Sequence, residues 1–397
     1  MLTRQDVESL SAALTEPAWV LERRLEAFER FEKLELPGEK DEDWRYTNLR
    51  ALKFSFEPFG TPAPVQRLDP KPDADGVIFT DIHTAISEHS ELARDRLFTE
   101  VDHTGHIFDA LHAAFFQGGT FLYVPKGKTV TKPIEVLRSI EGENGSIFPH
   151  SVVVAEEGAE VTFIERFGKG ASLGFAGAGL EVFAGQASRV NIVTLQDHAA
   201  GVWHHHRQRA LIDRGVAYRS FVLSLGARFA RHEVETVMNG EGASAQMLGL
   251  YLADSGQHFD FRTLQDHAAP HCTSDLLYKG ALREDAHTVY SGLIHVRPNG
   301  AETDAYQTNR NLVLSDNARA DSKPELEIEN NDVRCSHAAS VGQIDEDQIF
   351  YLESRGIPRD KAERLIVDGF FEEVAAKVEI PEVRDMVVKA IADRFDR

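Results

Sequence analysis

Thiols are nearly absent from this chain: Cys272 and Cys335 are the only cysteines in 397 residues. Two thiols without a Cys-x-x-Cys spacing build neither a disulfide framework nor a zinc ribbon, which points to a reducing compartment. Long apolar runs are missing too. Nothing approaches the ~20 residues of a membrane span, and the opening MLTRQDVESLSAAL carries acids where a signal peptide needs an apolar core. Positive charge is scarce, with 43 Lys and Arg against 64 Asp and Glu and a formal net charge of −21. Such a surface repels phosphate backbones and anionic lipid. The expectation is a cytoplasmic chain with no nucleic-acid partner and no membrane contact.

What is present is enough apolar sequence for a large core, arranged in three textures. Residues 1–75 read as a helical segment. Thr15 is a candidate N-cap, Pro17 suits a first turn, and Trp19, Leu21, Leu25 and Phe28 recur at helical spacing. The run FGTPAPVQRLDPKPDADG then breaks the pattern and marks a boundary. Residues 76–340 are short alternating runs, such as SVVVAEEGAEVTFIERF and SRVNIVTLQD, parted by Gly, Asp and Asn turns. Their near-regular repetition predicts a β-solenoid or sandwich. The heptapeptide TLQDHAA occurs at 194–200 and again at 263–269, as equivalent corners of two coils would produce. Residues 341–397 return to helix: Asp345 can cap EDQIFYLES, Gly356 is a natural stop, and prolines open two further helices. In the second of these Ala362, Leu365, Ile366 and Phe370 line one face, and Gly369 implies close packing.

Several stretches imitate functional motifs. VPKGKTV at 124–130 ends like a phosphate loop but has Leu122 where the first glycine belongs and Pro125 inside the cradle, so a tight turn is expected and no nucleotide site. In WHHHRQR, a strand puts His204 and His206 on one side and His205 on the other; two ligands do not close a zinc site, and solvated or cross-strand-paired histidines are expected. Cys272, beside His271, reads as a core residue. No Gly-x-Ser-x-Gly elbow and no distinctive acid–base pair is visible.

The informative stretch is NNDVRCSHAASVGQIDEDQIFYLESRG, from Asn330. In extended chain Cys335 and His337 share a face, placed to hold one metal, to act as nucleophile and base, or simply to pack. As ligands they number two, whereas an iron–sulfur cluster takes about four. Metal chemistry here therefore requires ligands from another chain.

That stretch, continuing into AERLIVDGF, resembles the C-terminal region of the SufB/SufD family of iron–sulfur cluster assembly scaffold proteins, and within it the SufD branch. EPAWVLERRLEAFERFEKLELP, DEDWRYTNL, TFLYVPKGKTVTKPIEV, GLYLADSGQHFDFRTLQDHAAPH and YQTNRNLVLSDNARADSKPELEI match the family in order, so the resemblance covers nearly the whole chain. SufB-like chains carry a cysteine before a Pro-x-(Ile/Leu)-Glu strand; here Ala320 and Asp321 stand in that approach, and the chain is SufD-like. The resemblance implies a mainly β fold, a right-handed parallel β-helix core between helical N- and C-terminal segments. It implies a non-catalytic scaffold that pairs with a SufB paralogue and docks the SufC ATPase. A nascent iron–sulfur cluster, transient and shared with the partner chain, would involve His337 and, secondarily, Cys335. The docking surface would lie in 345–371, with Phe350, Tyr351, Arg355, Gly356 and Phe370 foremost. An exposed solenoid interface allows a homodimer when the chain is alone. The competing readings are a purely structural stabiliser of SufB and SufC, and a β-solenoid carbohydrate-active enzyme.

Overall fold

A computed structural model describes residues 2–38, 40–49, 66–69, 72–101, 105–142, 144–168 and 170–395. Much of the proline-rich break at 59–76 therefore lies outside the described residues. Nineteen strands among them form a nine-stranded and a ten-stranded sheet, with every pairing parallel except the first of each. The chain alternates between the sheets, so the strands coil into a β-solenoid of about eight turns. Register fixes the repeat at about 27–31 residues, pairing Arg219 with Gln246, Gln246 with Asp275, and Asp275 with Tyr306. Alternation does the sorting: Val202, Ala210 and Ile212 of strand Gly201–Ile212 point inward and are buried, with half-buried residues between them. Facing turns interlock where Tyr278 lies against Gly249 and Tyr251 against Gly280; a Cβ at Gly280 would stand 1.8 Å from the Tyr251 ring.

Both outer faces are covered. Helices Arg4–Ala13, Ala18–Phe31 and Ile107–Phe115 pack on the ten-stranded sheet through Phe28, Phe108 and Phe115, against Phe175 and Phe229. Arg24 is fully buried there, forked onto Glu16 at 2.6 and 2.7 Å and donating to the Ala114 and Phe116 carbonyls. Removing one partner of such a pair costs roughly 3–5 kcal/mol, because the other charge stays buried. The other sheet carries Arg359–Ala375 and Pro381–Phe395, whose Val367, Phe371, Val374 and Val387 meet Leu223, Leu250 and Leu277. Each such side chain contributes roughly 1.5–3 kcal/mol of transfer free energy.

The strand-rich middle also holds helices Ile82–Glu88, Ser90–Arg94 and Ile107–Phe115, which the turn spacing did not separate from strands. Thr15 is not the N-cap: its φ is +55°, and Pro17 caps the helix in extended conformation. On Arg359–Ala375 the buried face is Ala362, Val367, Phe371 and Val374, while Leu365 is 51% exposed, because the helix lies on rows of leucines from the sheet. Gly369 is exposed, and a Cβ there would meet nothing within 4 Å. The TLQDHAA copies are not equivalent corners either. Thr194 lies in the nine-stranded sheet and Thr263 in the ten-stranded one, so they stand half a turn out of phase. The turn expected at VPKGKTV is present, with Lys128 N–H closing on the Pro125 carbonyl, and Cys272 is a core residue, its buried thiol donating to the Gly240 carbonyl. The WHHHRQR histidines alternate as expected but are not solvated; all three are buried. No helix among the described residues is long and apolar enough to cross a membrane.

Candidate functional site

The solenoid ends abruptly. Strands Arg319–Ile328 and Val333–Gln343 are the last in their sheets, each pairing on one side only among the described residues. Their inward positions, which in earlier turns form the core, are left half-open: Leu326, Ile328 and Val341 are 36%, 43% and 48% exposed. Charged Arg319, Asp321, Lys323 and Glu325, together with Pro324, stud one edge, the composition that keeps an open strand from pairing indiscriminately.

Cys335 and His337 lie on the inward face of the final strand, opposite Ala305 and Gln307 of Thr303–Val313. The two side chains share that face, as their spacing requires. Cys335 is half-buried against Ile294, Val296 and Ala305, and burial, reinforced by Asp304, pushes its thiol pKa up. A metal binding there would have to displace a thiol proton that leaves less readily than usual. His337 is exposed. Among the described residues no third His, Cys, Asp or Glu joins them; the grouping of three such side chains within 4.8 Å lies elsewhere. What stands at the open end is half of a ligand set.

The residues expected to dock a partner split into two places. Phe350 and Tyr351, on helix Glu346–Ser354, are 71% and 57% exposed. Arg355 stacks its guanidinium 5.3 Å from the Tyr351 ring centre and donates to the Tyr351 hydroxyl. Gly356 ends that helix at φ +83°, a left-handed conformation in which a side chain is strained. Below them Tyr351, Leu352 and Ile366 line an open depression of about 390 Å³. Phe370 is the second place: it sits on the solenoid, with the Lys279 ammonium 4.5 Å over its ring and donating to its carbonyl.

Sequence reasoning missed a cavity of about 780 Å³ between the N-terminal segment and the ten-stranded sheet. Register aligns Arg207 with Glu233 and Arg262, and His205 with Arg231 and Asp260, in charge-alternating rows on the outer face. Trp44 lies over Arg231, 3.7 Å from guanidinium carbon to ring centre. His106, Asp109 and His205 converge here, yet Arg207 already holds Asp109, and Arg231 holds Glu233 at 2.6 Å. Burial favours a neutral Glu233, but Arg231 and His106 outweigh it and hold the carboxyl well below its usual range. With Asp109, Glu233 and Glu235 all engaged by guanidinium groups, this network is a staple between segment and sheet. None of these three carboxylates is free to serve in the pair that sugar hydrolysis uses. The signal that could have revealed it is opposite charge recurring near the turn length: Arg207, Glu233, Arg262.

The chain is similar to proteins of one family. Residues 138–370 match the family model described as SUF system FeS cluster assembly, SufBD core domain. The chain is 34% identical over 372 residues to an iron–sulfur cluster assembly SufBD family protein of Mycobacterium leprae, covering 90% of each. It is 29% identical over 422 residues to the iron–sulfur cluster assembly protein SufD of Bacillus subtilis, covering 97% of this chain and 96% of that one. It is 26% identical over 415 residues to SufB of the same organism, covering 94% and 88%.

Proposed function

The chain belongs to the SufB/SufD family of SUF-system iron–sulfur cluster assembly proteins, and from that premise we propose that it is a SufD-type scaffold subunit, contributing half of a transient cluster site to a heterodimer. The observation that carries this reading is the end of the solenoid, where Cys335 and His337 share one face of a terminal strand, next to an unpaired sheet edge, with no third ligand among the described residues. A SufB-type paralogue, ending in the same way, would add its strands to the open edges and its ligands to the pair. His337 has the leading part: it is exposed, whereas the Cys335 thiol packs against aliphatic side chains and is held protonated by burial. A site assembled from two chains is labile, which suits a scaffold whose cargo must leave.

Docking of a SufC-type ATPase falls to Phe350, Tyr351 and Arg355, aromatic and guanidinium groups exposed together on a short helix. ATP-driven closure of two such ATPases would pull on the C-terminal helices of both scaffolds and shift the interface between them. The protein's chemistry is then ligation and timing, without catalytic residues or a nucleotide site of its own.

The test is anaerobic co-purification with SufB- and SufC-type partners, comparing wild type with His337→Ala for iron and acid-labile sulfide per complex. An intact complex that has lost most of its cluster is the expected result. Normal loading would overturn the ligand role and leave the chain a stabiliser of its partners.

A further inference from the structure

The densest unexplained chemistry lies deep in the solenoid. His204 and His206 of strand Gly201–Ile212 and His232 of Phe229–Met238 all project inward, with His206 beside His232 in register. All three are fully buried, and none of their six ring nitrogens has a hydrogen-bond partner. Glu165 joins them: its Oε1 accepts from Arg138 and Ser151, while Oε2 has no partner and lies 3.9 Å from His206 Nε2. Buried polar atoms in folded proteins are nearly always paired, and those that are not require an explanation. Here seven unpaired atoms sit in one place.

We propose that His204, His206 and His232, with Glu165 as fourth ligand, bind one divalent first-row transition-metal ion inside the solenoid. The spacing of the rings fits. Imidazoles bound to one metal at ~2.0–2.1 Å hold their ring centres ~5.2 Å apart at a tetrahedral angle and ~5.5 Å apart at a trigonal one. The observed separations are 5.1 Å for His204 and His232, 5.9 Å for His206 and His232, and 6.0 Å for His204 and His206. Closing on a metal takes rotation of the rings, because as they stand no three ligand atoms of this set lie within 4.8 Å of one another. His204 is flanked in its row by Ala176 and Ala230, and His206 has Ala178 on its other side; Phe167, its ring centre 4.8 Å from that of His204 and 5.7 Å from that of His206, has to shift with them.

An imidazole and carboxylate set suits zinc, ferrous or cupric ions and disfavours calcium or magnesium. Phe261, stacked 5.5 Å from His232, closes the row towards the open end, so the ion is taken up during folding and then held. This assigns a structural metal, separate from any cluster held by His337.

The experiment uses the full chain alone, refolded with cobalt(II) or with chelator and then dialysed against EDTA. About one equivalent of cobalt retained, with the visible bands of a tetrahedral site and no thiolate charge-transfer band, is expected, together with a higher thermal midpoint than the chelated protein. His232→Gln should release the cobalt; His337→Ala should retain it. Should His232→Gln fail to fold, the wild type decides by itself. Cobalt lost on dialysis, or identical midpoints with and without metal, would overturn the proposal and leave the imidazoles to internal water.

Discussion

An imidazole taken out of water resists protonation, and that resistance makes stability depend on pH. His267 shows the effect apart from the proposed metal site. It is fully buried, bonded through Nε2 to the Ser274 hydroxyl at 2.8 Å, and burial lowers its pKa to about 4. Unfolded, the same ring takes up a proton near pH 6.5. Between pH 6.5 and 4 the unfolded state therefore binds more protons, and stability falls as pH falls, by up to ~1.4 kcal/mol per pH unit for this residue. His267→Gln keeps a polar partner for Ser274 and should flatten the slope by about one proton in urea titrations between pH 6.5 and 4.5; an unchanged slope would count against it. His106 works in the opposite sense. Burial lowers its pKa, but Asp109 and Glu233 outweigh burial and raise it overall. Its contribution is complete below pH ~6.5 and lost as pH rises through the raised value. Stability should therefore be greatest near neutrality. Neither histidine stands out in the sequence: their hydrogen-bond partners, Ser274 for His267 and Glu233 for His106, are 7 and 127 residues away. Cys335 and His337 were legible because two-residue spacing on a strand fixes a shared face without any knowledge of the tertiary structure.

Elements were readable where pattern and fold agree. The alternation of the middle segment and the caps at Asp345 and Gly356 follow from local rules, and the strands and helices formed there. Faces were harder. The inward row of Gly201–Ile212 includes three polar side chains, His204, His206 and Gln208, which hydropathy alone assigns to water. The second C-terminal helix has apolar residues most of the way round, so periodicity could not tell Leu365 from Val367; the leucine rows of the sheet decided it. Gly369 shows the consequence. Exposed, mid-helix and contact-free, it retains the backbone cost of glycine without a packing return. Gly369→Ala should stabilise the chain by up to ~1 kcal/mol in chemical denaturation. A loss of stability would mean that this face is closed by something other than solvent.

At the scale of the whole molecule, a solenoid covers its core turn by turn, and each end needs a cap. Antiparallel strands close the first turns. The last turn has no cap among the described residues, although its inward side chains continue the rows of the core: Val341 follows Asn311, and Leu326 follows Ile294. Burying Leu326, Ile328 and Val341 against a second solenoid would return them to the environment their counterparts one turn earlier occupy. The edge charges, including Lys323 paired with Glu42 and Glu325, would select which solenoid fits. Net charge of −21 disfavours a second copy of this chain, since like surfaces repel, and favours a paralogue whose end carries complementary charge. Val341→Lys tests this directly. The side chain is half exposed, so the substitution should leave the thermal midpoint within a few degrees of wild type. In the proposed heterodimer it would bury an unpaired ammonium, and affinity for a SufB-type partner should fall at least ~10-fold, equal to ~1.4 kcal/mol, by calorimetry or sedimentation. Unaltered affinity would move the interface off the solenoid end, and with it the argument that Cys335 and His337 face a second chain.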